Sequence, residues 1–390
     1  MINYLTTRKF NSFQDEMTLA TKSEVMRLLD AEEISLSIKD TMAYITEDEC
    51  NVKGSKKVID IFTEIKNKKS DMLIPVEDIV LQGFDDKNLI LSFKDKESEE
   101  IVFTATGIYS FTNDFLDQLF SLDKFASYCF KNNEKDLIRE TIEYLLENTS
   151  NKIKQYRFID GSGVHKDKLF LRAVTSKSYK NYDNNEVLYL ALNAMHRYSK
   201  KTANKVYIEN AIITDSSLDM TMKVENRIPI GKDYSVEIGV NVSNSEIKEG
   251  AVLFEFIYTI FDKNGNSSTA IGDSVVKIQH NNVSKTVKER LAHLNELDKH
   301  SENVLEGINA TKLAKKLNED ELYVIFEKFS KSKTLSAGAK TKLSNLQRDE
   351  IVNNTLTIIE LFGKLEQLET TIDDRIFIQK KLGEFLHKGF

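Results

Sequence analysis

Apolar residues recur along this chain with three successive rhythms. Over residues 1–150 the rhythm is mixed. TKSEVMRLLDAEE (21–33) opens on Thr21, carries Glu24 three residues on, and repeats apolar side chains at 25, 28 and 29. That pattern predicts a helix with a capped start. KNLILSFKDKESEEIVFTATG (87–107) predicts two short strands around a charged turn. NDFLDQLFSLDKFASYCF and NEKDLIRETIEYLLEN predict helices, because apolar positions return every three or four residues behind an Asn.

From about residue 155 to 282 the period shortens. QYRFID and KDKLFLRAV predict strands joined by the turn GSGVH. DNNEVLYLALNAMHRYSKK predicts a helix with Val187, Ala191, Ala194 and Tyr198 along one face, and Asp183 or Asn184 is placed to cap it. Five strand-like runs follow. Met220, Met222 and Val224 alternate with polar neighbours, and Tyr234, Val236, Ile238, Val240 and Val242 alternate with small or polar ones. A period of two describes sheets with one buried and one wetter face. AVLFEFIYTIFDKNGNSS reads as a central strand ending in an Asn-Gly turn.

The third rhythm, from 283 to 390, is helical. Val287, Leu291 and Leu294 share one face, and Ile351, Leu356, Ile359, Phe362 and Leu365 share another. Internal packing is the simplest use of these stripes. Self-association or docking of a protein partner through the C-terminal helices is the alternative. The expected class is α+β: a central, largely antiparallel sheet with a crossing helix, a mixed N-terminal region and a helical C-terminal region. Boundaries are expected near NTSNK (148–152) and residue 282, giving an acidic mixed α/β region over 1–150, an α+β core over 151–282 and a helical region over 283–390.

Composition narrows the class. A chain of 390 residues suffices for two or three domains. Its 41% hydrophobic and 29% charged content is that of a globular protein. Two prolines exclude long Pro-rich linkers, and no apolar run approaches the roughly 20 residues that span a bilayer. The opening MINYLTTRKFNSFQDE has no signal-peptide core, and Cys50 and Cys129 lack any partner spacing. The expectation is a soluble, cytoplasmic protein that does not engage membranes.

Charge sharpens the picture, because the net −7 is unevenly spread. Residues 1–150 carry 18 Lys+Arg against 29 Asp+Glu, net −11; residues 151–210 carry 12 against 5, net +7; residues 211–390 carry 24 against 27, net −3. The basic segment also holds Tyr156, Phe158, Phe170, Tyr179, Tyr182, Tyr189, Tyr198 and Tyr207. Binding single-stranded DNA or RNA needs cations that track phosphates and flat rings on which bases stack, each stack being worth about 1–3 kcal/mol. Arg172, Lys177, Tyr179, Lys180 and Tyr182 offer both within eleven residues, and Arg197, Lys200 and Lys201 extend the track. Core tyrosines and lysines on a wet surface are the plainer alternative, and cations at 200–201 also suit a helix C-terminus.

Catalytic signals are scarce. The chain has no phosphate-binding glycine loop, dinucleotide fingerprint, zinc-protease motif or nucleophile elbow. The six histidines show no ligand spacing, and FDKNGNSS lacks the carboxylates of a cation site. Asn244-Ser245-Glu246 reads as a structural turn, since a nucleophile also needs a base and an oxyanion site. A dispersed enzyme site would have to be built from Asp160, His165, Glu246 and His280. No catalytic residue, metal site or cofactor is assigned, and an enzyme is the lesser reading.

Two ordered blocks carry a resemblance. LRAVTSKSYKNYDNNEVL, through Arg172, Ala173, Ser176, Tyr179, Asp183 and Asn184, resembles a phage/plasmid-like family catalogued as domain of unknown function nine-three-two. IGVNVSNSEIKEGAVLFEFIYTIFDKNGN resembles the same family through Gly239, Asn244, Ser245, Glu246, Gly250, Asn264 and Gly265, with His280 near a histidine of that family. The resemblance covers about residues 155–300. Many relatives carry Trp in an N-terminal segment, whereas this chain has none. It implies a phage or mobile-element setting and no established activity. The order of strands and helix is also loosely similar to phage single-strand annealing proteins, an analogy of fold alone. The expected function is non-enzymatic nucleic-acid binding in annealing or replication. The alternative is an inhibitor or scaffold that engages a host protein through the acidic N-terminal region.

Overall fold

The computed structural model describes residues 8–11, 18–29, 38–39, 45–65, 68–247, 251–279, 289–290, 293, 296–351, 356–368 and 371–388. Among these residues the class is α+β, with two sheets where one was expected. The first elements among the described residues are β1 (Arg8–Asn11), α1 (Lys22–Met26), β2 (Val52–Lys53) and α2 (Ser55–Glu64). It then builds β3 (Lys69–Pro75), β4 (Ile79–Asp85), β5 (Asn88–Lys94), β6 (Ile101–Gly107), α3 (Phe111–Phe120), α4 (Asp123–Lys131), α5 (Lys135–Glu147), β7 (Ile153–Asp160) and β8 (Leu169–Ser176). After α6 (Asn184–Thr202) come β9 (Val206–Ile213), β10 (Ser217–Ile230), β11 (Tyr234–Ser245), β12 (Val252–Asp262) and β13 (Ser267–Ile278). The C-terminal region holds α7 (Leu297–Gly307), α8 (Ala310–Ala314), α9 (Glu319–Ser330), α10 (Ala337–Ile351), α11 (Ile358–Glu366) and α12 (Ile372–Lys388).

The seven-stranded sheet runs β1-β9-β10-β11-β12-β13, with β2 parallel to β9. Its strands alternate as the sequence predicts. Met220, Met222, Val240, Val242, Phe254 and Tyr258 lie on one face and are buried with Val187, Leu188 and Ala191 of α6 in one core. α6 is buried on nearly every side from Glu186 to His196, because it is sandwiched between this sheet and the N-terminal helices. Buried His196 is engaged through both ring nitrogens: Nδ1 accepts the Asn51 N–H at 2.9 Å and Nε2 lies 2.9 Å from Glu47.

The six-stranded sheet runs β3-β7-β8-β6-β5-β4, antiparallel except for β6 against β8. One face packs under α3, α4 and α5 around Phe93, Phe115, Tyr156 and Phe158. The stretch read as one helix over 113–130 divides in two at Ser121, whose φ of 57° ends α3. The sheet crosses the boundary expected at residue 150: β7 and β8 pair with β3 and β6 and not with the strands after 205. Residues 69–176 therefore form one lobe inserted between α2 and α6. Charge reverses near 150, but layers are set by which apolar faces meet.

The C-terminal stripe over 356–365 is internal. Ile359, Phe362, Leu365, Leu382 and Phe385 are buried in the core of the seven-stranded sheet. α11 and α12 lie along β13 so closely that a Cβ on Gly363 would stand 2.7 Å from Ser267 O, and one on Gly383 would stand 2.1 Å from Ile271 O. The segment 287–295 falls largely outside the described residues, as does His280.

Candidate functional site

Where the two sheets meet, β3, β7 and β8 present charged side chains to the start of α6 and the end of β11. Glu246, just past β11, is fully buried. Its carboxylate receives Lys69 Nζ at 2.7 Å, Nη1 of the buried Arg172, and the Asn184 N–H at 2.8 Å. Arg157, also fully buried, donates to the Glu246 carbonyl at 2.7 Å, to Asp71 at 3.0 Å and to Asp183 at 2.6 Å. Asn244 Nδ2 closes the ring, donating to Tyr182 O and Asn184 Oδ1, both at 2.9 Å. Tyr109, at φ 56°, donates to Asp215, whose carbonyl accepts from Arg172 at 3.4 Å.

The local sequence explains the arrangement. A register shift between Arg157 and Phe158 in the β7–β8 ladder leaves Arg172 as the extra residue of β8. A bulge of this kind re-aims side chains. It lets Leu171 and Val174 both reach the apolar core while both arginines reach the polar side. Asp183 caps α6 in a reciprocal box with Glu186, and the α6 start directs the Asn184 N–H to Glu246.

Burial alone would raise the Glu246 carboxyl. The fields of Lys69, Arg172 and Arg157 outweigh it and hold the group well below the usual carboxylate range. Burial pushes Asp215 up, partly opposed by the Tyr109 hydroxyl, and burial raises the Tyr109 phenol. A carboxylate this strongly neutralised is a poor base, so the cluster suits holding two sheets in register better than proton transfer. Arg172 Nε and Nη2, Asp215 Oδ1, Asn184 Nδ2, Asn244 Oδ1 and Ser245 Oγ are buried there without hydrogen-bond partners among the described residues. Unpaired buried groups cost about 1–3 kcal/mol each, so the cluster fixes geometry at some cost in stability.

The residues expected to bind nucleic acid divide into three groups. Arg172 and Tyr182 are buried, the first on Glu246 and the second at 3% exposure, so neither presents its charge or ring to solvent. Lys177 is exposed, while Tyr179 and Lys180 are half-buried, on the loop between β8 and α6. Arg197, Lys200 and Lys201 stand at the other end of α6, roughly 24 Å away at 1.5 Å per residue. There Lys200 lies 3.3 Å from Glu47 and Lys201 2.7 Å from Asp298.

The described residues of the dispersed enzyme site are not brought together, and His165 lies half-buried on the turn between β7 and β8. Glu246 is sequestered, Asp160 is exposed about 10 Å along β7 from Arg157, and His280 is outside the described residues. Among the described residues no group of three His, Cys, Asp or Glu side chains is arranged to hold a metal ion, and no helix is long and apolar enough to cross a membrane. Lys69, Asp71, Arg157, Asp215 and Tyr109 escaped the sequence reading. The available signal was Arg157, a cation inside the apolar alternation of IKQYRFID. Of the residues that carried the family resemblance, Arg172, Asp183, Asn184, Asn244 and Glu246 meet in this one cluster, although 62 positions separate Asn184 from Glu246. No family model, curated protein or solved structure matches the chain.

Proposed function

We propose that this protein binds nucleic acid without catalysing a reaction, through phosphate contacts made by the loop between β8 and α6. One observation carries the reading. The inward side of that loop is fastened to the ion cluster by Asn181 on Asp71, Tyr182 O on Asn244 and Asp183 on Arg157, while Lys177 stands outward. A loop held at its root presents its cations with little entropy left to lose on binding. Lys154 sits across the ladder from Ser176 and Lys180 follows Lys177 on the loop, so three lysines lie near the end of β8. With Tyr182 in the core, stacking contributes less than the sequence implies, and electrostatics dominates. The resemblance to a phage/plasmid-like family supports a mobile-element setting, with annealing or replication as the process served.

The test is fluorescence anisotropy of labelled single-stranded DNA with Lys177→Glu/Lys180→Glu. Both positions lie outside the buried cluster, so the variant retains the wild-type melting curve. Its affinity falls at least tenfold at low salt. A folded variant that binds as the wild type does overturns the assignment.

A second reading, a protein-binding inhibitor or scaffold, rests on α3–α5, where Tyr128, Leu137 and Tyr144 are exposed. Residues 111–147 carry eight Asp+Glu against four Lys+Arg. Capture of a basic protein that survives nuclease and is lost in Tyr128→Ala/Tyr144→Ala favours it.

A further inference from the structure

An edge strand carries a row of unpaired backbone groups, and proteins cover or blunt such edges. The edge at β13 is covered. Ser267 O and Ile271 O face α11 and α12, and the Thr269 N–H between them donates to the Glu366 carboxylate at 2.6 Å. Among the described residues the edge at β3 has no strand on its outer side. The Val76 N–H donates to Lys152 O and the Asp160 N–H to Lys68 O, so the even-numbered residues of β3 bond to β7. Lys69, Asp71 and Leu73 therefore direct both backbone groups outward, and Pro75 directs a carbonyl alone. Beside them Met72, Leu73 and Ile153 are 39%, 52% and 43% exposed. The charges that would blunt this edge are engaged inward, Lys69 on Glu246 and Asp71 on Arg157.

We infer that β3 pairs antiparallel with β3 of a second copy of this chain, about a two-fold axis at Met72. Self-complementarity selects both occupant and register. An axis at Asp71 would set two Asp71 carboxylates opposite each other, which is unfavourable. An axis at Met72 sets Met72 against Met72, Asp71 against Leu73 and Lys69 against Pro75. Asp71 and Leu73 then exchange both backbone hydrogen bonds at each side of the axis. Pro75 falls at the ends, where its carbonyl accepts the Lys69 N–H and its missing donor costs nothing. Leu73 and its symmetry mate become diagonal neighbours, and each is diagonal to Ile153 of its own chain. The two six-stranded sheets become one continuous sheet, an isologous interface closed by its own symmetry.

This surface is separate from the nucleic-acid loop, and its test is independent. Sedimentation equilibrium of the full chain at about 50 µM, a concentration suited to interfaces of micromolar or tighter affinity, gives twice the 44.7 kDa chain mass. Met72→Lys brings two ammonium groups to the axis and yields a monomer that keeps the wild-type circular-dichroism spectrum. Met72 and its mate form a non-hydrogen-bonded pair with Cα atoms about 4.5 Å apart, within disulfide reach. Met72→Cys therefore oxidises to a covalent dimer, whereas Ser70→Cys, set opposite Ile74, does not; the native Cys50 and Cys129 are buried. A monomer at this concentration leaves the edge to a foreign strand and overturns the self-pairing. A dimer that Met72→Cys links no better than Ser70→Cys overturns the axis.

Discussion

Glu246 stays ionised without touching water because three cations surround it, and substitutions in the cluster expose that dependence. Glu246→Gln leaves Lys69 and Arg172 uncompensated, and breaking a buried pair in this way costs about 3–5 kcal/mol. Urea melts should show that loss, and Lys69→Met should lose less, because Lys69 remains partly in water. The pH sign follows from the depressed carboxyl: its contribution is present above the ordinary value of 4.5 and is lost as pH falls below it. Glu366 has the opposite sign. Burial raises it from 4.5 to about 7, so the edge cover on β13 is most stable below pH 4.5 and weakens as pH rises through 7. Ionisation there costs about 3 kcal/mol by linkage. Thermal melts of Glu366→Gln should fall less than those of the wild type between pH 4.5 and 7 and exceed them at pH 8. At this scale the sequence was only partly legible. Asp183 as the α6 cap follows from local spacing, whereas the partners of Glu246 come from β3 and β8, 177 and 74 positions away.

Elements with a regular period were the most legible. β9–β13, α6 and the capped α1 follow from alternation and from Thr21 with Glu24. The bulge in the β7–β8 ladder was invisible, because one extra residue reverses the faces of everything beyond it. The close approach of the C-terminal helices was invisible too, since a glycine within a helix ordinarily only lowers its propensity. Gly383 gives a direct check. Exchange of a helical glycine for alanine normally gains about 1 kcal/mol. Here the new Cβ meets Ile271 O at 2.1 Å, so Gly383→Ala should instead lose about 1–3 kcal/mol, as overpacking does. Trypsin digestion followed by mass spectrometry should then show faster cleavage within α12.

For the whole molecule, composition and period identified an α+β protein with a helical C-terminal region, but not two sheets or an inserted lobe. Strand partnership is a long-range property: β7 and β8 join strands dozens of positions upstream, and nothing local in QYRFID declares that. The excess of positive charge over 151–210 changes meaning accordingly. Two of its twelve cations, Arg157 and Arg172, neutralise carboxylates inside the protein, and Lys177 is among those left facing solvent. The function account rests on that remainder. It is tested most directly by the affinity of the wild-type protein for single-stranded DNA across a salt series. Three lysine–phosphate contacts predict a log–log slope of about −2, at 0.7 per contact. Absence of binding at low salt, or an affinity indifferent to salt, would contradict the account.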